Sequence, residues 1–256
     1  DGIRDKLVTG VQTCALPIWS RSMSSHGAAS LMAAREVIKK GLELAAKDLE
    51  VAAADIEFVD GKYRVKGTDK AISIIDLAKK QSQVAGSHPM DAGGEVPAAG
   101  TFPSGVHVAE VEIDPATGVT EVIRYLTMDD CGTVINHTLL EGQMHGGIMQ
   151  GAGQVFGEDC MYDRATGQLL TGSFMDYYMP RAGLIRNLEV YDHCVPSPTN
   201  PLGVKGAGEA GTTGSLPTLM NAVVDALRPL GINHLDMPIT PSRMWHAIQA
   251  APRKAA

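Results

Sequence analysis

Residues 104–130 read SGVHVAEVEIDPATGVTEVIRYLTMDD. From Ser104 to Asp114 apolar and polar residues alternate, PATG supplies a turn, and Val119 to Asp130 alternates again. A period of two on both sides of a Pro/Gly turn predicts an antiparallel hairpin with one buried face. Directly after it, EGQMHGGIMQGAGQVFG (residues 141–157) reads as a helix laced with glycine. Gly146, Gly147, Gly151 and Gly153 each weaken a helix by about 1 kcal/mol relative to alanine. Repeated at that density, they imply that a neighbouring backbone or a ligand comes close.

Working outward from the hairpin, the same two signatures recur. Leu31, Ala34, Ile38, Leu42, Ala45 and Leu49 return every three or four residues, which predicts a helix from His26 to about Leu49 with Ser24 or Ser25 as its cap. IEFVDGKYRVKG (residues 56–67) places two strands around Asp60-Gly61, and Ser73 opens a short helix through about Lys80. Residues 81–103 are polar, contain Gly and Pro, and lack a period, so a long loop or subdomain boundary is expected there. C-terminal to residue 157, strands are expected near 158–163 and 188–195, flanking a loop with Phe174 to Pro180. A helix is expected from about Leu216 to Leu227, and a last short one begins at Pro241. Helices mixed with mostly antiparallel hairpins make the fold class α+β.

The bulk numbers narrow the function classes. Hydrophobic residues form 44% of the 256, which suits a globular protein. The net charge of −7 gives no footing for a nucleic-acid partner. No apolar run reaches the roughly 20 residues a membrane span needs. Residues 1–18, DGIRDKLVTGVQTCALPI, have no defensible period and closely resemble the translation of a sequencing-library adapter. Setting them aside as an artefact leaves a native chain expected to start near Trp19, already in mid-domain. It also removes Cys14, leaving Cys131, Cys160 and Cys194. Three cysteines at wide, unpatterned spacing form neither a disulfide framework nor a metal set, and they read as reduced, apolar side chains. That points to the cytoplasm.

The densest chemical signal is NPLGVKGAGEAGTTGS, residues 200–215. Five glycines between Gly203 and Gly214 surround one carboxylate, Glu209. Glycine lets backbone N–H groups approach an anionic ligand, and a helix starting near residue 215 adds its positive end. A lone acid in such a setting can act as a general base, although spacing alone equally fits a solvated surface loop. Neither a Walker loop nor a dinucleotide fingerprint is present, which disfavours a nicotinamide enzyme. Ser20-Arg21-Ser22 precede a helix, where hydroxyls suit either a cap or a phosphate. Lys205 either neutralises a cofactor phosphate or sits on the loop surface. Asp129-Asp130 reads as a strand-end pair, and His145 as packed or hydrogen-bonded. The methionines, Met144, Met149, Met175 and Met179 among them, read as core filling.

NPLGVKGAGEAG resembles the signature of xanthine-oxidase-type molybdenum hydroxylases, especially the large, molybdopterin-binding subunits of the carbon monoxide dehydrogenase and aldehyde oxidase-like branch. MDDCGTVINHTLLEGQMHGGIMQGAGQ (128–154), LLTGSFMDYYMPRA (169–182) and DMPITPSRMW (236–245) resemble the same family in the same order. One departure is His137, where the family usually has proline. The resemblance implies that 19–256 is the C-terminal part of a molybdenum-cofactor-binding domain. It implies molybdenum on a molybdopterin, in the cytosine dinucleotide form, held by the pterin dithiolene with no protein ligand to the metal. Glu209 would be the catalytic base for hydroxylation of a small-molecule C–H group with water as oxygen source. Ser20, Arg21, Ser22, Lys205, Gly206, Ala207 and Gly208 would contact the cofactor. Implied partners are an iron–sulfur small subunit and an FAD-binding medium subunit in a higher oligomer. The fragment alone would be inactive, and the rival reading is a non-catalytic anion-binding assembly module on the same scaffold.

Overall fold

A computed structural model describes residues 22–81, 87–96 and 99–251. The adapter-like segment, Ser20 and Arg21 lie outside the described residues. The chain divides into two compact units: Ser22–Ala99 with Asn200–Leu202, and Gly100–Thr199 with Gly203 onward.

In the first unit a π-helical turn, Met23–Gly27, runs into helix α1, Ala28–Leu49. Ser24 and Ser25 therefore sit inside helical structure rather than capping it, because the chain is already helical at Ser22. Strands β1 (Ile56–Val59) and β2 (Lys62–Val65) pair antiparallel around Asp60-Gly61. Both turn residues take positive φ, 51° and 72°, as the tightest hairpin turn requires. A third strand that the sequence reading missed, β3 (Ala71–Ser73), adds to β2. Ser73 then caps helix α2, Ile74–Lys80, by accepting from the Asp76 N–H at 3.0 Å. The apolar faces of α1, the sheet and α2 close a small core around Ala45, Tyr63 and Leu77, all fully buried.

In the second unit the expected hairpin is present as β4 (Ser104–Ile113) and β5 (Thr120–Asp130), with one register irregularity between Glu110 and Val111. Helix α3, His137–Phe156, follows. It starts four residues before the expected Glu141, because Asn136 caps it by accepting from the Leu139 N–H at 3.0 Å. His137 occupies the first helical position, where proline is also favoured. Strand β6, Leu188–Asp192, lies beside β5 but parallel to it. A parallel neighbour requires a long crossover, and the helix between β5 and β6 supplies it. The sheet is therefore mixed and not purely a hairpin.

No strand forms at 158–163, where only an isolated bridge joins Tyr162 to Leu169. Helix α4 spans Ala210–Leu227 and begins about six residues sooner than expected. Helix α5, Pro241–Ala250, is capped by Thr240, whose hydroxyl oxygen accepts from Arg243 N–H at 3.3 Å. Packed α3, α4 and α5 cover one sheet face around Val122, Tyr125, Ile148, Leu219, Val223 and Met244. The α+β class holds. Among the methionines read as core, Met144 is buried, but Met175 and Met179 are exposed, at 93% and 48%.

Candidate functional site

The site is assembled where β5 ends. Beyond Asp130 the backbone of 131–133 runs antiparallel to 203–205. Lys205 N–H donates to Cys131 O at 2.9 Å, Thr133 N–H to Gly203 O at 2.9 Å, and Gly132 bridges Val204. The two strands touch too closely for side chains. A Cβ at Gly132 would lie 2.4 Å from the Gly203 carbonyl oxygen, and Gly132 also sits at φ +67°. Gly203 O accepts a second bond, from Ser197 N–H at 2.9 Å. Further on, Gly206 N–H donates to Thr101 Oγ1 at 3.3 Å, and a turn closes from Ala210 N–H to Ala207 O at 3.2 Å.

Glu209 follows as the N-cap residue of α4, exposed, with its carbonyl accepting from Thr213 N–H at 2.9 Å. Between Gly206 and Gly211 it has the only side chain larger than a methyl group. The start of an 18-residue helix carries partial positive charge, so negative charge is stabilised there, whether on the carboxylate or on a ligand.

The first turns of α4 are fixed from below by α3. Thr212 Oγ1 donates to Gly147 O at 3.0 Å. A Cβ at Gly211 would lie 2.6 Å from Met144 O, and one at Gly151 would lie 1.9 Å from Ser215 Oγ. The expected close approach is thus helix on helix for Gly147 and Gly151, while around Gly142 and Gly146 the space is open.

Two acids end β5, as expected. Asp130 is ion-paired with Lys205, the two side chains only 13% and 12% exposed. Its Oδ1 also accepts from Gly132 N–H and Val195 N–H, each at 3.0 Å. Burial pushes its acidity down, but the Lys205 ammonium and the two amides outweigh that and hold the carboxyl below the usual range. Lys205 is therefore no loop-surface lysine. Asp129 faces the other way, into a buried polar cluster that sequence reading missed. His107 on β4 lies 3.3 Å from it through Nε2, the side chains 5% and 6% exposed. His107 Nδ1 meets the Tyr125 hydroxyl at 2.6 Å, and the Thr127 hydroxyl donates to Asp129. Burial raises the Tyr125 pKa, with a Thr218 hydrogen bond acting in the opposite sense.

The expected contact residues Lys205, Gly206, Ala207 and Gly208 are thus brought together with Glu209 on one loop of the second unit. Ser22 is exposed, belongs to the first unit and makes no capping bond. Among the described residues no group of three or more His, Cys, Asp or Glu is placed to hold a metal ion. His145 stands 3.9 Å from Glu141, one turn away.

Residues 5–186 match the model of the molybdopterin cofactor-binding domain. The chain is 39% identical over 236 residues to a carbon monoxide dehydrogenase large chain of Hydrogenophaga pseudoflava, covering 90% of this chain and 29% of that one. It is 33% identical over 237 residues to the gamma subunit of the 6-hydroxypseudooxynicotine dehydrogenase complex of Paenarthrobacter nicotinovorans, covering 90% and 30%. Reconstituted CO dehydrogenase from Oligotropha carboxidovorans superposes with a TM-score of 0.77 at 35% identity, over 90% of this chain and 29% of that chain. The chain thus spans about three tenths of the length of these relatives. The resemblance read from the four motifs is borne out.

Proposed function

The chain belongs to the molybdopterin cofactor-binding domain family, and on that premise we propose that it is the part of a molybdenum hydroxylase large subunit in which the 203–209 loop receives the cofactor and Glu209 is the catalytic base. The observation that carries this reading is the placement of one exposed carboxylate at the start of α4, within a run of glycine and alanine that is tied down on both sides.

The residues present fit the cofactor. Gly206, Ala207 and Gly208 leave the backbone bare for a bulky group, and the helix start favours its anionic parts. A cofactor bringing its own sulfur ligands needs no protein metal cluster. When bound, it supplies the two-electron oxidation and the water-derived oxygen. The chain's contribution is acid–base and positional: Glu209 accepts a proton on a carboxylate oxygen, and the bonded loop keeps that oxygen in place. Lys205 is neutralised by Asp130, so its contribution to the cofactor is through the backbone it fixes rather than through free charge. Ser20, Arg21 and Ser22 form a second contact segment on this reading.

The substrate class is a small molecule with an oxidisable C–H group, an aldehyde or N-heterocycle. The cofactor is the cytosine dinucleotide form, with iron–sulfur and FAD centres on partner subunits in a cytoplasmic complex. No helix among the described residues is long and apolar enough to cross a membrane.

The test is molybdenum and pterin analysis of the holoprotein produced with its partner subunits, for wild type and Glu209→Gln. Near one cofactor per chain in both is expected, with turnover lowered at least ~10²-fold in the variant. Turnover retained by Glu209→Gln removes the base assignment. Absence of molybdenum from a folded complex favours the non-catalytic assembly module.

A further inference from the structure

We propose that Asp129 and Asp130 are positioning residues for Glu209, consecutive carboxylates that fix the chain on either side of it. The proposal rests on the reading of Glu209 as base for its consequence in catalysis, but its structural content stands apart from that reading.

Successive side chains of a strand point to opposite faces, so neighbouring acids at a strand end reach different surroundings. Asp130 reaches the loop. It binds Lys205, four residues before Glu209, and the same carboxylate gathers Gly132 N–H and Val195 N–H, so three chain segments meet on it. Asp129 reaches the helix instead. It holds His107 through Nε2, and the imidazole forms the floor beneath Gly214, five residues after Glu209. A Cβ at Gly214 would come within 2.5–2.6 Å of three ring atoms, so α4 rests directly on the ring.

Thr218 bonds to the Tyr125 oxygen, the Tyr125 hydroxyl lies 2.6 Å from His107 Nδ1, and His107 Nε2 lies 3.3 Å from Asp129, which also takes the Thr127 hydroxyl. Partners on both ring nitrogens hold the ring plane of His107. Around Glu209 the chain is glycine and alanine from Gly206 to Gly211, and the next side chain that ties it down is Thr212, bonded to Gly147 O on α3. Without the acids, the loop before Glu209 would lose its side-chain tie to the end of β5, and the start of α4 would keep its contact with α3 but lose the fixed ring beneath Gly214. A reacting group displaced by about 1 Å loses on the order of 10²-fold in rate.

The experiment compares Asp130→Asn, Lys205→Met, Lys205→Arg, Thr127→Val and Thr127→Ser in the holoprotein. Amide hydrogen exchange over 203–218 is read first. Asp130→Asn and Lys205→Met are expected to exchange ~10-fold faster across 203–209, and Thr127→Val faster across 210–218. Lys205→Arg and Thr127→Ser, which keep the bonding group, are expected to stay near wild type. The hairpin 56–65 in the other unit serves as the unchanged reference. Turnover is read second, with kcat down ~10²-fold and KM within about twofold for the pair-breaking variants. Unchanged exchange in Asp130→Asn, or Lys205→Arg as fast as Lys205→Met, overturns the proposal. Faster exchange with unchanged kcat also overturns it, leaving a purely structural clasp. If wild type carries no molybdenum, the reading of Glu209 fails while the exchange comparison still judges the anchors.

Discussion

At the scale of single residues, the buried cluster beneath α4 is a set of polar groups that satisfy one another. Removing one hydroxyl strands its neighbours, and a buried donor or acceptor without a partner costs about 1–3 kcal/mol. Tyr125→Phe keeps the ring but takes the partner from His107 Nδ1. Stability is therefore expected to fall by about that amount in urea unfolding. An unchanged midpoint at unchanged slope would mean the His107–Tyr125 bond contributes nothing. Glu209 could be singled out from sequence because its glycine setting is local. The cluster could not. In VHVAEV the two valines beside His107 are the exposed residues, so the local pattern hides that the histidine faces inward, and its partners lie on the next strand, 18 and 22 residues on. Lys205 posed the same difficulty, since its carboxylate partner is 75 residues away.

At the scale of elements, the contact between α3 and α4 explains both a success and a miss. Glycine density in 141–157 announced close approach, and Gly147 and Gly151 make it. The same logic hid the start of α4, because Gly211, Gly214 and Pro217 all lower helix propensity. Packing on α3 overrides that weak local preference, so the helix begins at Ala210. The two sides of the contact are expected to respond differently to an added methyl group. Gly151→Ala strikes the Ser215 hydroxyl, a side-chain atom, at 1.9 Å. Overpacking of this kind costs about 1–3 kcal/mol, and Ser215→Ala in the same chain is expected to restore most of it. Gly211→Ala strikes the Met144 carbonyl, which no side-chain change can move. Melting temperatures of the singles and the double decide this, and failure of Ser215→Ala to rescue Gly151→Ala would contradict the geometry. Strand β6 was expected near 188–195 and forms at Leu188–Asp192, but its parallel direction was hidden, since direction is set by the crossover and leaves no mark on a five-residue strand.

At the scale of the whole molecule, each unit holds a buried tyrosine whose pKa burial raises above the ordinary 10.0, Tyr63 in the first and Tyr125 in the second. In the second unit, burial also pushes the Cys131 thiol up to about 12 from 9.0. These groups stay protonated in the fold where the unfolded chain would release its protons. Stability is then fully present below the unfolded values and falls as pH rises through about 9 and then 10. Urea midpoints are expected to decline on the alkaline side, with a shallower first decline in Cys131→Ala. A flat profile in wild type up to about pH 10.5 would refute the assignment. The joining of 131–133 to 203–205 has a consequence in time. The hairpin β4–β5 can form as soon as residue 130 has been synthesised, whereas the Glu209 loop needs partners 65, 75 and 105 residues earlier in the chain. Contacts of such separation form late in folding. The acid acquires its setting only after β4, β5, α3 and β6 have all been made, so the site is among the last parts of the second unit to be assembled.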